Sequence, residues 1–248
     1  MMDRPSQSSS SDPEARRLFQ HALDSMESDP AEAKEALRKA AALGCSDSMV
    51  LLGTILSDGD DDEKKEALEF FMKAYEAGNN MGSRNLGYCH ALGRGTEKDK
   101  AEGARWYTVS AMSGNAKAQC NIGVMCEFGN GVPQDFEKAA EWYRMSAENG
   151  YSRGMTNYAC LLRDGKGVRR DPEEAARWFE KSGSPRAKRL LGIMLLDGDG
   201  IPKDETRALS PLKEAAATDR KAAEILASLN EKNRGGAWPR LIQGCRRR

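Results

Sequence analysis

The sequence predicts an all-α chain made of repeated helix hairpins, and three observations carry that prediction. Landmark residues recur in one register every 33–36 positions. An aspartate stands at a fixed place in the recurring unit, where a helix must start. No segment alternates apolar and polar residues over a sustained run of β-branched side chains, so strands are not expected. The landmarks form four series. One is the pair Leu52-Gly53, Leu86-Gly87, Ile122-Gly123, Tyr158-Ala159 and Leu191-Gly192. A second is Gly44, Gly78, Gly114, Gly150 and Gly183. The third is a Gly-x-Gly turn at 93–95, 129–131, 165–167 and 198–200, and the fourth an aromatic pair, Phe70-Phe71, Trp106-Tyr107, Trp142-Tyr143 and Trp178-Phe179. Four series in one register mark an internal repeat.

The first hairpin is expected at 12–27 and 31–43, because Leu18-Phe19 stands 34 residues before Leu52-Gly53. The next is expected at 46–58 and 62–77, with Asp58 to Asp62 as a variant turn in place of Gly-x-Gly. Three fuller hairpins follow at 80–92 with 98–113, 116–128 with 134–149, and 152–164 with 171–182. In each, a glycine in the first helix lets a neighbouring helix approach closely, at about 1 kcal/mol of helix propensity. Gly-x-Gly ends that helix in a left-handed cap. Asp99, Asp135 and Asp171 then cap the second helix. Asp171-Pro172-Glu173-Glu174 reads as an N-cap, a proline at the first helical position and a capping-box acid. The unit closing at Gly183 is three residues short, which predicts a second helix shorter by almost a turn. The sixth hairpin is expected at 185–197 and 203–217, with Asp204 as cap. There Pro211 replaces the tryptophan of earlier units, and a kink and loss of regularity are expected beyond residue 183. A closing helix at 219–230 covers the last apolar face. The units are thus 12–44, 46–78, 80–114, 116–150, 152–183 and 185–217.

Composition agrees with a core of small residues. Of 248 residues, 39% are hydrophobic and 31% charged, and mean hydropathy is −0.69. Basic and acidic residues balance at 38 each, which argues against nucleic-acid coating as the main task. The balance hides a gradient. Residues 231–248 carry a net +5, and the rest −5. Residues 1–11 are Ser-rich, and both ends are expected to be flexible tails flanking a repeat domain over 12–230. No apolar run is long enough for a membrane span and no secretory leader is read at the start, so a cytoplasmic location is expected.

The landmarks resemble the Sel-1-like repeat family, a relative of tetratricopeptide repeats, over about residues 12–230. The segments CNIGVMCEFGNGVPQDFEKAAEWYRMSAENG and YACLLRDGKGVRRDPEEAARWFEKSG carry the resemblance best. It implies a right-handed α/α superhelix, a solenoid of about five to six hairpins, acting as an interaction scaffold. It also implies that the first helix of each unit lines a concave groove. Spacings of i, i+3, i+7 and i+10 place Met81, Arg84, Tyr88 and Ala91 there, then Lys117, Cys120, Val124 and Glu127. Arg153, Thr156, Cys160 and Arg163 follow, then Arg186, Arg189, Ile193 and Leu196. The expected groove is basic and suits an acidic or extended segment of a protein partner. Asn85, Asn121 and Asn157 recur at 36-residue steps and form a polar row that braces helices, holds a bound backbone, or both.

Catalytic and metal chemistry find little support. There are six cysteines and two histidines, no Cys-x-x-Cys, and Cys89 and His90 diverge on a helix. Some secreted family members carry a disulfide in each repeat. Cys120 matches one half of such a pair, but Met112 stands at the other, so free thiols are expected. Neither enzyme activity nor a cofactor is expected. The alternatives are an RNA- or anionic-surface binder acting through the basic tail and a hydrolase-like repeat protein.

Overall fold

The computed structural model describes residues 10–233, and side chains to residue 230. Most of the Ser-rich start, the greater part of the basic tail and Cys245 lie outside the described residues. The chain divides into two compact units, Met1–Gln134 and Asp135–Arg248. Among the described residues there are thirteen α-helices and no strand. The all-α repeat class therefore holds.

The first unit contains α1 (Pro13–Ser25), α2 (Pro30–Ala42), α3 (Ser46–Leu56), α4 (Asp61–Glu76), α5 (Asn80–Leu92), α6 (Lys100–Met112) and α7 (Ala116–Phe128). Each helix packs chiefly on its neighbours in sequence, α1 on α2, α2 on α3, and so on to α7. Phe19, Leu37, Leu52, Leu56, Phe71 and Leu86 are buried in one continuous apolar cluster. Full burial of each contributes about 1.5–3 kcal/mol. The second unit contains α8 (Phe136–Glu148), α9 (Ser152–Asp164), α10 (Pro172–Ser182), α11 (Pro185–Asp197), α12 (Glu205–Ala216) and α13 (Arg220–Asn233). Its largest buried side chains are Tyr143, Phe179, Leu162, Met194, Leu195 and Leu212.

Aspartate caps explain where the second helices begin. The carboxylates of Asp99, Asp135, Asp171 and Asp204 each accept from a first-turn backbone N–H. Such a cap stabilises a helix by about 1 kcal/mol. The N–H groups of Glu102 and Lys138 hold the Asp99 and Asp135 carboxyls below their ordinary value. The reciprocal capping box forms at Asp60 and Glu63. At Asp171 only the aspartate arm is made, because Glu174 instead accepts from the Trp178 indole at 3.1 Å.

Glycines make two kinds of close contact. Within hairpins, a Cβ at Gly87 would lie 2.8 Å from the Tyr107 ring, and one at Gly53 2.7 Å from the Phe71 ring. The second aromatic of each pair thus seats on the bare backbone of its own first helix. Between hairpins, the second glycine of Gly-x-Gly presses on the first turn of the preceding second helix. Gly95 abuts the carbonyl of Lys64, Gly131 that of Lys100 and Gly167 that of Phe136. A Cβ at Gly167 would collide with that carbonyl, and its φ of 65° already favours glycine.

Two irregular places differ in outcome. α10 has 11 residues where α6 and α8 have 13, and it ends on Gly183 as its left-handed cap, as the three-residue deletion requires. Helix α12 runs unbroken through Pro211. Its neighbour Leu212, fully buried, takes the aromatic's place over Gly192. Packing of α12 on α11 and α13 holds the helix across the missing N–H.

Candidate functional site

The outward face of the first helices is set by what their other faces bury. On α5, Gly82 lies against the Phe71 carbonyl of α4, and Gly87 against Tyr107 of α6. That leaves Met81, Arg84, Tyr88 and Leu92 with partial or full exposure. On α7 the corresponding exposed or half-buried residues are Lys117, Asn121, Val124, Glu127 and Phe128. On α9 Arg153 is exposed and Cys160 and Arg163 are half-buried. On α11 Arg186 is exposed and Arg189 and Ile193 are half-buried. Cys120, Thr156 and Leu196, expected on the same face, are buried at 0%, 2% and 3% exposure. The i+3 and i+10 positions turn inward in these units, because each row sits at the edge of the buried stripe.

The cations on this face are not equivalent. Arg186 donates from Nη1 to Asn157 Oδ1 at 2.9 Å, so one unit's arginine braces the preceding unit's asparagine. Arg84 donates from Nη1 to Asn85 Oδ1 at 3.1 Å. Its Nε is buried without an acceptor among the described residues. Asn85 and Asn157 are buried, and Asn121 is half-buried. Arg163 is paired with Asp164 at 2.7 Å. Arg189 is paired with Asp219, the aspartate beginning α13, at 2.8 Å, and both side chains are largely buried. Burial acts to raise the Asp219 carboxyl. The Arg189 hydrogen bond and the Ala222 N–H outweigh it and leave it below its ordinary value. Two of the expected groove cations, Arg163 and Arg189, are therefore neutralised by their own chain.

Hydroxyls fill the junction between α9 and α11. Ser152, Thr156, Ser182 and Ser184 bond to one another at 2.8–3.1 Å. They flank Arg153 and Arg186 in sequence, and Ser184 also caps α11. The cluster takes up the polar groups freed where α10 is short.

Sequence spacing missed Leu92 and Phe128, which are 50% and 62% exposed. They end α5 and α7 one residue beyond the positions read as groove-lining, Ala91 and Glu127. Comparing units would have found them. The same register position holds Asp58, Asp164 and Asp197 elsewhere in the chain.

The described cysteines, Cys45, Cys89, Cys120, Cys126 and Cys160, carry free thiols. Burial pushes the Cys89 thiol up to about 11, against the pull of Arg94. Among the described residues no three His, Cys, Asp or Glu side chains gather to hold a metal, and no helix is long and apolar enough to cross a membrane. A hollow of about 300 Å³ lies between α10 and α12, with Ala176, Leu195 and Ile201 inside and charges of both signs, Arg207 and Glu180 among them, at its rim.

The family described as Sel1 repeat matches six segments, 14–45, 46–79, 81–115, 116–151, 152–184 and 185–217. Solved structures agree. A protective antigen of uropathogenic Escherichia coli with an SLR fold is 26% identical over 92% of this chain, with a TM-score of 0.76. The chain spans about half, 51%, of that antigen. A Sel1 repeat protein from Oxalobacter formigenes is 26% identical, with a TM-score of 0.71, over 81% of this chain and 85% of its own. An immunity protein from Pseudomonas aeruginosa shares the fold at 19% identity and a TM-score of 0.56, over 84% of both chains. No curated protein sequence matches the chain at a significant level.

Proposed function

The chain belongs to the Sel1 repeat family, whose members are generally protein-interaction scaffolds, and from that premise we propose that it is a non-catalytic scaffold acting inside the cell. Its partner polypeptide presents an acidic or extended segment to the first-helix face. The observation that carries this reading is the exposed pair Arg153 and Arg186, which stand at one register position in successive hairpins. Arg186 is oriented by Asn157. A guanidinium held this way loses less side-chain entropy when it meets a carboxylate. Lys117 shares the register, and Arg84, Asn85, Tyr88, Asn121 and Glu127 extend the face. Arg163 and Arg189 contribute to the surface through their ion pairs rather than as free charges.

A photo-crosslinking residue at position 153 in the full chain identifies the partner. Calorimetry then compares wild type with Arg153→Glu/Arg186→Glu. The expected loss is about 2 kcal/mol or more, since truncating or reversing a desolvated charge contact has that scale. The fold should be unchanged, because exposed charges contribute little stability. Unchanged affinity in the folded double variant rejects the basic-face reading.

A further inference from the structure

We propose that Tyr88, Leu92, Val124 and Phe128 form an apolar anchoring patch on α5 and α7. Its occupant is an amphipathic helix with apolar side chains two turns apart and a carboxylate beside them. The proposal rests on the groove reading for the face used, though not on Arg153 or Arg186.

The chain supplies its own controls. At the register position of Leu92 and Phe128, three other units carry aspartate, namely Asp58, Asp164 and Asp197. Asp58 and Asp164 are exposed there and paired with Arg94 and Arg163. The fold therefore asks for a solvated residue at this position, and packing does not explain a leucine 50% exposed or a phenylalanine 62% exposed. Exposed apolar groups that adjoin one another mark contact surfaces. Half-buried Tyr88 and Val124 lie one turn earlier on the same helices. First helices of successive hairpins lie side by side, as α3 touching α5 shows. The patch is thus two residues by two.

Its dimensions select the occupant. Packed helices are about 8–10 Å apart, so Leu92 and Phe128 are separated by about that distance. Two side chains seven residues apart on one face of a helix are about 10.5 Å apart. An extended strand reaches about 10 Å in three residues, but those side chains then point to opposite faces. Charge adds the second requirement. Arg84 stands one turn before Tyr88, with one arm on Asn85 and a buried Nε that lacks an acceptor. An unmet guanidinium donor next to an apolar patch favours a carboxylate from the incoming helix.

The test pans a random 16-residue peptide display library on the immobilised full chain. Enriched peptides should carry two large apolar residues seven apart with Asp or Glu between or beside them. A synthetic peptide of that consensus should bind wild type, and Leu92→Asp/Phe128→Asp should weaken it by about thirtyfold or more. Aspartate is the residue other units tolerate here, so circular dichroism should show that variant folded. Enrichment without the apolar spacing, no enrichment, or equal affinity for the double variant overturns the proposal. So does a wild-type dimer that the double variant abolishes in sedimentation, since the occupant is then a second copy. Arg153→Glu/Arg186→Glu separates the two readings. If only that variant loses the crosslinked partner, the basic face stands and the patch falls. If only Leu92→Asp/Phe128→Asp loses it, the patch stands and the basic face falls.

Discussion

Gly150 and Gly167 both take positive φ, yet they answer to different neighbours. Nothing lies within 4 Å of a Cβ placed on Gly150, whereas Gly167 abuts the Phe136 carbonyl. Gly150→Ala should therefore cost only the left-handed backbone term, about 1–2 kcal/mol. Gly167→Ala adds a backbone collision and should cost at least about 1 kcal/mol more. Urea titrations of the two variants, followed by circular dichroism, compare them directly. The cysteines separate in the same way. With its thiol pushed to about 11 and its side chain 1% exposed, Cys89 should resist maleimide at pH 8, while half-buried Cys160 reacts. Mass spectrometry after timed quenching reads the order. Residue type alone revealed that these glycines turn the chain. It could not reveal which of them touches another hairpin, because that depends on the seam.

At the scale of elements, Asp219 ties α13 to α11 through Arg189 and caps α13 through the Ala222 N–H. Asp219→Ala removes both and should lower stability by about 2–3 kcal/mol, and Asp219→Asn, which keeps a cap, by about half as much. The folded carboxyl sits below its ordinary 3.8. Its contribution is therefore complete above that value and is lost as pH falls through the lower folded value. Below about pH 4, wild type should lose stability more steeply than Asp219→Asn in thermal melts. Pro211 gives the opposite sign. It leaves the carbonyl four residues earlier without its helical donor inside an unbroken α12, so Pro211→Ala should stabilise by about 1–3 kcal/mol in calorimetry. Helix positions were legible because caps and glycine stops are local. The course of α12 was not, since tertiary packing outweighed the proline, and neither were the Arg163 and Arg189 pairs. Arg163 meets the adjacent Asp164, a pairing that rests on side-chain rotamers, and Arg189 meets a carboxylate thirty residues away.

Over the whole molecule, the repeat predicts which deletions fold. Excising residues 80–115, one 36-residue period, joins Asn79 to Ala116, and Asn79 replaces Asn115 as the N-cap of α7. The shortened chain should melt cooperatively with full helicity, whereas removal of 80–97 alone should leave an unpaired second helix and lose helicity per residue. Circular dichroism melts of the two deletions decide. Both termini of the described array limit growth with polar surface: Arg16, Arg17 and Gln20 on α1, and Arg220, Lys221 and Asn230 on α13, are exposed. The glycine seam has a consequence for ancestry. Gly95, Gly131 and Gly167 act as plugs, and the carbonyls of Lys64, Lys100 and Phe136 as their sockets. Because a backbone carbonyl is supplied by any residue, the socket needs no particular sequence, and the plug needs one glycine. A duplicated or excised period recreates a working joint at once, wherever in the unit the crossover falls. Such a gene is free to change its number of units by unequal recombination while its surface residues, Leu92 and Phe128 among them, diverge unit by unit.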